Sequence, residues 1–131
     1  MSTAALGRSL IDAFAKGWSK PDLDAILAVF ADEAVFIEAP SAAPLVGTAA
    51  IRRWWADVPY YQSEITVTTG EIYVAGPWFS TEFKAVFRRR RTGDWVQARG
   101  AIFCETDGAA ITEMRMYWHR EVLPPDTGVR N

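Results

Sequence analysis

The chain is poor in the groups from which catalytic and metal sites are most often built. Its 131 residues include one Cys and one His. A single Cys excludes an intramolecular disulfide. One His, one Cys and no clustered inward carboxylates leave a metal without ligands, so neither a metal nor a cofactor is expected. Surplus charge is missing too: fourteen Lys and Arg face sixteen Asp and Glu, for a net charge of −2. That balance offers no electrostatic footprint for nucleic acid or an anionic membrane. No apolar run approaches membrane-spanning length. The opening Met-Ser-Thr-Ala-Ala-Leu lacks a basic segment followed by an apolar one, so no signal peptide is expected and a cytoplasmic location follows by default.

Apolar residues make up half the sequence, with six Trp and seven Phe among them. That is ample for one domain, residues 1–131, with a core that needs no staples. The first half reads as helical. Leu6, Leu10, Phe14 and Trp18 recur every four residues and predict an amphipathic helix over 3–17. Ser19-Lys20-Pro21-Asp22 reads as the start of a second helix, with Leu23, Ile26, Leu27 and Phe30 as its stripe. A short strand is expected over 34–38, then a loop broken by Pro40 and Pro44. Thr48 is placed to cap a third helix, carrying Ile51, Trp54, Trp55 and Val58.

From Gln62 onward the apolar period becomes two. Ile65, Val67 and Thr69 alternate, Gly70 suggests a bulge, and Ile72 and Val74 resume. Phe79, Thr81, Phe83, Ala85 and Phe87 share one face of the next strand. Val96, Ala98, Gly100, Ile102 and Cys104 share one face of the strand after it. The last, Ile111 to His119, splits into Thr112, Met114, Met116 and Trp118 against Glu113, Arg115, Tyr117 and His119. A one-residue slip would bury charges, so antiparallel partners sum to an odd number in the first hairpin and an even number in the second. Loops of ordinary length put those sums at about 185 and 216. The rows are then Phe83–Ile102–Met114, Ala85–Gly100–Met116 and Phe87–Ala98–Trp118. The small side chains of the middle row suggest the floor of a pocket. Residues 123–131, with Pro124 and Pro125, read as a tail on a core of about 5–122.

Helix, helix, strand, helix and then a meandering antiparallel sheet is the element order of the nuclear-transport-factor-2-like superfamily. Asp22 to Ile26, Phe30 to Ala34, Glu38-Ala39-Pro40, Gly47, Ile51, Asp107-Gly108 and Met114 to Trp118 resemble its SnoaL-like and ketosteroid-isomerase-like members. The resemblance implies an α+β fold: a cone-shaped, strongly curved antiparallel sheet closed by three N-terminal helices, a cystatin-like roll. It also implies an interior apolar pocket and a homodimer. The family's catalytic groups do not carry over. Ketosteroid isomerases use a Tyr and two Asp where this chain has Phe14, Ala39 and about Ala98. Limonene epoxide hydrolases use an Arg and two Asp where it has Phe83, Ala85 and Met116. That family's water-holding Tyr and Asn fall near Phe36 and Glu38. Neither activity is expected.

Glu38 shares a face with Phe36 and is the candidate catalytic carboxylate, a general base whose pKa apolar surroundings would raise. The bland alternative is a solvated strand end or a partner for Arg52 or Arg53. The pocket walls are expected to be Phe14, Trp18, Phe36 and Trp55 on the helical side. On the sheet they are Thr81, Phe83, Ala85, Phe87, Ala98, Gly100, Met114, Met116 and Trp118, with Tyr60 and Tyr61 at the rim. By parity His119 lies on the outer face and Cys104 on the inner, so the two form no dyad. Arg88 to Arg91 read as a solvated hairpin tip. The partner implied is a small hydrophobic or polycyclic molecule, taken either by an enzyme of proton transfer or by a non-catalytic binder. A dimeric interaction module with a filled interior is the third reading.

Overall fold

The computed structural model describes residues 1–125. Helix α1 spans Thr3–Ser19, capped by Ser2, whose hydroxyl accepts from the Ala5 N–H at 3.1 Å. It buries Leu10, Ile11, Phe14 and Trp18, the stripe its spacing predicts. Helix α2 is a single turn and a half, Leu23–Leu27, and its cap is Asp22 rather than Ser19. Ser19 ends α1 and its hydroxyl accepts from the Val67 N–H. Phe30 belongs not to α2 but to strand β1, Phe30–Ile37, which is longer than expected. After the two-residue strand β2, Leu45–Val46, the expected third helix divides into α3, Thr48–Ala56, and α4, Val58–Tyr61. Gly47, at φ 86°, occupies the cap position expected for Thr48. No helix among the described residues is long and apolar enough to cross a membrane.

The remaining strands are β3, Gln62–Thr69; β4, Tyr73–Ala75; β5, Trp78–Arg89; β6, Trp95–Thr106; and β7, Ile111–Val122. They form one curved, unclosed sheet in the order β2-β1-β7-β6-β5-β3, with β4 paired to β5. All pairs are antiparallel except β1 with β7, which run parallel with Phe36 opposite Met114. The irregularity in β3 lies between Ser63 and Thr66, where Glu64 has φ 52°, rather than at Gly70. The turn into β7 is tied by the Asp107 carboxylate, which accepts from the N–H groups of Ala109 and Ala110 at 2.9 Å. Those two donors hold its pKa below the ordinary Asp value. The tail expected from residue 123 is partly anchored, since the Leu123 N–H donates to Trp95. Residues 126–131 lie outside the described residues.

The parity of both hairpins is as expected, but each register is displaced by two residues. Phe83 pairs with Gly100, and Gly100 with Trp118. The rows are therefore Phe79–Cys104–Met114, Thr81–Ile102–Met116, Phe83–Gly100–Trp118 and Ala85–Ala98–Arg120. A shift of two leaves every side chain on its face, so alternation alone could not detect it. A bulge near Thr112 puts Ile111, not Thr112, on the inner face; Thr112 bonds back to Glu105.

Gly100 is not a pocket floor. A Cβ built on it would lie 1.7 Å from the main-chain oxygen of Tyr117 and 2.6 Å from the Trp118 Cα. The residue is small because β6 and β7 approach there without room for a side chain. The pair of small side chains across the inner face is instead Ala85 and Ala98.

The core fills the space between the helices and the concave face. Phe14, Phe36, Ile51, Phe79, Ile102, Cys104 and Met114 are all but inaccessible to solvent. Rings meet edge to face across it: Phe14 with Trp55 at 5.3 Å and Phe36 with Trp54 at 5.3 Å between centroids.

Candidate functional site

The inner face, α1, α3 and the end of β1 converge on a cavity of about 70 Å³ that opens at one end of the sheet. Trp18, Trp54, Trp55 and Trp118 supply much of its wall, with Val58, Phe83, Phe87, Ala98 and Met116 adding apolar surface. Gln62, Glu38 and Arg120 are its polar members. A drug-sized ligand ordinarily occupies about 300–1,000 Å³. This cavity is far smaller, so a polycyclic guest requires the indole walls to move.

Two of the tryptophans are held by the protein. Trp18 donates its indole N–H to the Gln62 side-chain oxygen at 3.1 Å. Trp118 donates to the main-chain oxygen of Glu38 at 2.6 Å. That bond links the end of β1 to β7 and seats Glu38 at the cavity wall. The Glu38 side chain is half-buried and makes no hydrogen bond or ion pair with any described residue. Arg52, its expected alternative partner, bonds Asp24 at 2.9 Å instead. Arg120 lies over the Trp118 ring, 5.8 Å from its centroid. Glu38 and Arg120 are the two groups of opposite charge on an otherwise neutral wall.

Half of the residues expected at a pocket line this one: Glu38, Trp18, Trp55, Phe83, Phe87, Ala98, Met116 and Trp118. Phe14, Phe36, Thr81, Ala85 and Met114 are closed in the core behind it. Gly100 sits in the β6–β7 contact. Tyr60 and Tyr61 point outward, 76% and 63% exposed, because α4 turns the chain away from the cavity. Trp54, read from the sequence as core or pocket rim, is a wall residue, and Val58, Gln62 and Arg120 join the wall without having been expected there. Arg120 had a signal: it continues the even-numbered inner series 114, 116, 118 one step past the expected strand end.

The model of the SnoaL-like domain family matches residues 11–114. This chain is a SnoaL-like domain. The resemblance read from Asp22 to Trp118 is thereby confirmed, and solved structures agree. A Catenulispora acidiphila protein of ketosteroid-isomerase-like fold, in complex with trimethylamine, is 21% identical over 82% of this chain and 83% of its own, with a TM-score of 0.75. A limonene-epoxide-hydrolase-like epoxide hydrolase of Mycobacterium tuberculosis is 19% identical over 90% and 86%, with a TM-score of 0.75. The Δ5-3-ketosteroid isomerase of a Mycobacterium species is 17% identical over 94% and 100%, again with a TM-score of 0.75. At these identities the likeness shows a common fold. No curated protein matches the sequence.

The other reactive groups of this SnoaL-like domain lie apart from the cavity. Cys104 is fully buried beside Phe79 and Met114, and burial pushes its thiol pKa far above the ordinary value. His119 is exposed on the outer face, opposite Arg99. At the hairpin tip, Arg88 bonds Gly93 and pairs with Glu64, while Arg90 donates to the Pro59 oxygen at 2.7 Å. Two of the four arginines thus brace the tip against neighbouring chain.

Proposed function

We propose that this SnoaL-like domain binds a small hydrophobic molecule in the cavity and catalyses proton transfer on it without a cofactor, with Glu38 as the base. The observation that carries this reading is the Glu38 side chain, unpartnered on a wall made chiefly of indole and phenyl rings. A carboxylate with no partner among the described residues is free to accept a proton from a bound carbon acid. Arg120, exposed at the edge of the same wall and lying over the Trp118 ring, is the positive charge available to that site. Two proteins that share the fold are named for reactions on small organic molecules, an epoxide hydrolase and a ketosteroid isomerase, which supports an enzymatic use of the cavity.

The cavity size selects a compact substrate over a polycyclic one. Binding without catalysis is the second reading. It is favoured by the position of His119 and Cys104, which leaves Glu38 and Arg120 as the cavity's charged groups. Exchange of carbon-bound protons with solvent separates the two: Glu38→Gln abolishes exchange on the first reading, and no exchange occurs in either protein on the second.

Assembly as a homodimer through the outer face of the sheet belongs to the same proposal. Phe103 and Tyr117 are 42% and 40% exposed and stack edge to face at 5.7 Å. Arg115 lies over Trp78 at 5.1 Å and pairs with Glu113. Aromatic and Arg side chains on one face suit an interface.

A further inference from the structure

We infer that the indole N–H of Trp55 is the group that reads the ligand, and that the ligand is a neutral small molecule carrying a carbonyl oxygen. The inference rests on the cavity being a ligand site. Trp55 is 2% exposed, and its Nε1 is the one buried side-chain nitrogen or oxygen among the described residues with no hydrogen-bond partner. An indole N–H can only donate. A stranded donor in an interior is a feature that wants an explanation.

The neighbouring tryptophans sharpen the contrast. Trp18 and Trp118 stand on the same cavity, and the protein satisfies both of their N–H groups. A Phe at position 55 would strand no donor, but would lose the extra ring by which the indole packs against its neighbours. The ring is also pinned: Phe14, Trp18 and Trp54 meet it edge to face at 5.3, 5.4 and 4.9 Å between centroids. It cannot swing toward a main-chain acceptor without unpacking three other rings.

Trp55 is part of the wall of two spaces. One is the cavity with Glu38; the other, about 150 Å³, lies toward Pro21 and Pro59. A water molecule needs several polar partners to be held in an interior. Apart from Glu38, Gln62 and Arg120 in the first space and Asp22 in the second, the walls around Trp55 are aromatic, aliphatic and proline, which suits a largely apolar ligand with a single acceptor. A carbonyl oxygen meets that description, and it also makes the adjacent C–H acidic enough for a carboxylate base.

The test uses cyclopentanone and methylenecyclopentane, which have the same shape with and without the oxygen. Binding to the whole chain is followed by NMR through the Trp55 indole N–H signal. The hydrocarbon is the more hydrophobic, so an apolar cavity alone would favour it. The inference predicts cyclopentanone binding at least about tenfold tighter, with the indole proton shifted downfield. Trp55→benzothienylalanine, which replaces the N–H with sulfur at nearly constant shape, should erase the preference while both probes still bind. Equal binding of the two probes to the unmodified chain overturns the donor role and leaves the ligand site standing. Binding of neither overturns both. If the variant does not fold, the affinity ratio and the indole shift in the unmodified chain decide.

Discussion

Trp118 donates its indole N–H to the main-chain oxygen of Glu38, eighty residues earlier, at 2.6 Å. β1 and β7 run parallel beside it, with Ile37 opposite Arg115. The residue that follows β1 is thus fastened by the most C-terminal large aromatic of the inner face. In the proposed function this bond fixes the position of the base.

Trp118→Phe keeps a ring and removes the donor. The expected loss of stability is about 0.5–1.5 kcal/mol, the net worth of one such hydrogen bond. Turnover should fall further than binding, because the Glu38 main chain loses its anchor while the apolar wall remains. Denaturant unfolding alongside kinetics checks both.

Gly100→Ala and Ala98→Leu should behave in opposite ways. The first drives a methyl into the β7 backbone, and it should cost more than the about 1–3 kcal/mol of ordinary overpacking. The second extends a side chain into the cavity and should abolish ligand binding at a smaller loss of stability. Melting temperatures and probe affinities for both variants decide. Comparable destabilisation by both would mean that the cavity is closed core.

The faces of β5, β6 and β7 from Met114 onward were legible because alternation has period two, and one misplaced residue would bury Glu82, Lys84 or Arg99. The start of β7 was not, because the bulge near Thr112 breaks the alternation. The register within those faces was not. A hairpin shifted by two residues satisfies the same pattern, and loop length alone did not distinguish Phe83–Gly100 from Phe83–Ile102. The parallel pairing of β1 with β7 left no mark either, since contacts so distant along the chain have no periodic signature. Glu38 and Trp118 could be named from their strand faces, and Trp18 and Trp55 from the apolar stripes of their helices. Gln62 and Arg120 escaped because both lie at strand ends, where boundaries are least certain.

Cys104 predicts a pH dependence. Its folded pKa is raised by burial, while the unfolded thiol titrates near the ordinary value of about 8.5. Above that pH the unfolded chain loses a proton that the folded chain keeps. Stability is therefore fully present below about pH 8.5 and falls as pH rises, by up to about 1.4 kcal/mol per unit. Cys104→Ala should flatten that alkaline slope in urea titrations. The native thiol should also resist iodoacetamide at pH 8 and react on unfolding.

The outer face predicts an assembly. Sedimentation at micromolar concentration should give twice the 14.6 kDa of one chain. Tyr117→Glu should shift it to the monomer by placing an unpaired charge in the interface. A monomeric mass for the unmodified chain would remove the dimer.

Incorporation of deuterium from D2O into the ring carbons beside the carbonyl of cyclopentanone, followed by proton NMR, tests the central claim most directly. It registers proton transfer to and from carbon without requiring knowledge of the natural substrate. The account predicts exchange well above the buffer rate with the unmodified chain, and a loss of about 100-fold or more in Glu38→Gln, with cyclopentanone still bound. Exchange no faster than in buffer, or an equal rate in the two proteins, would contradict it.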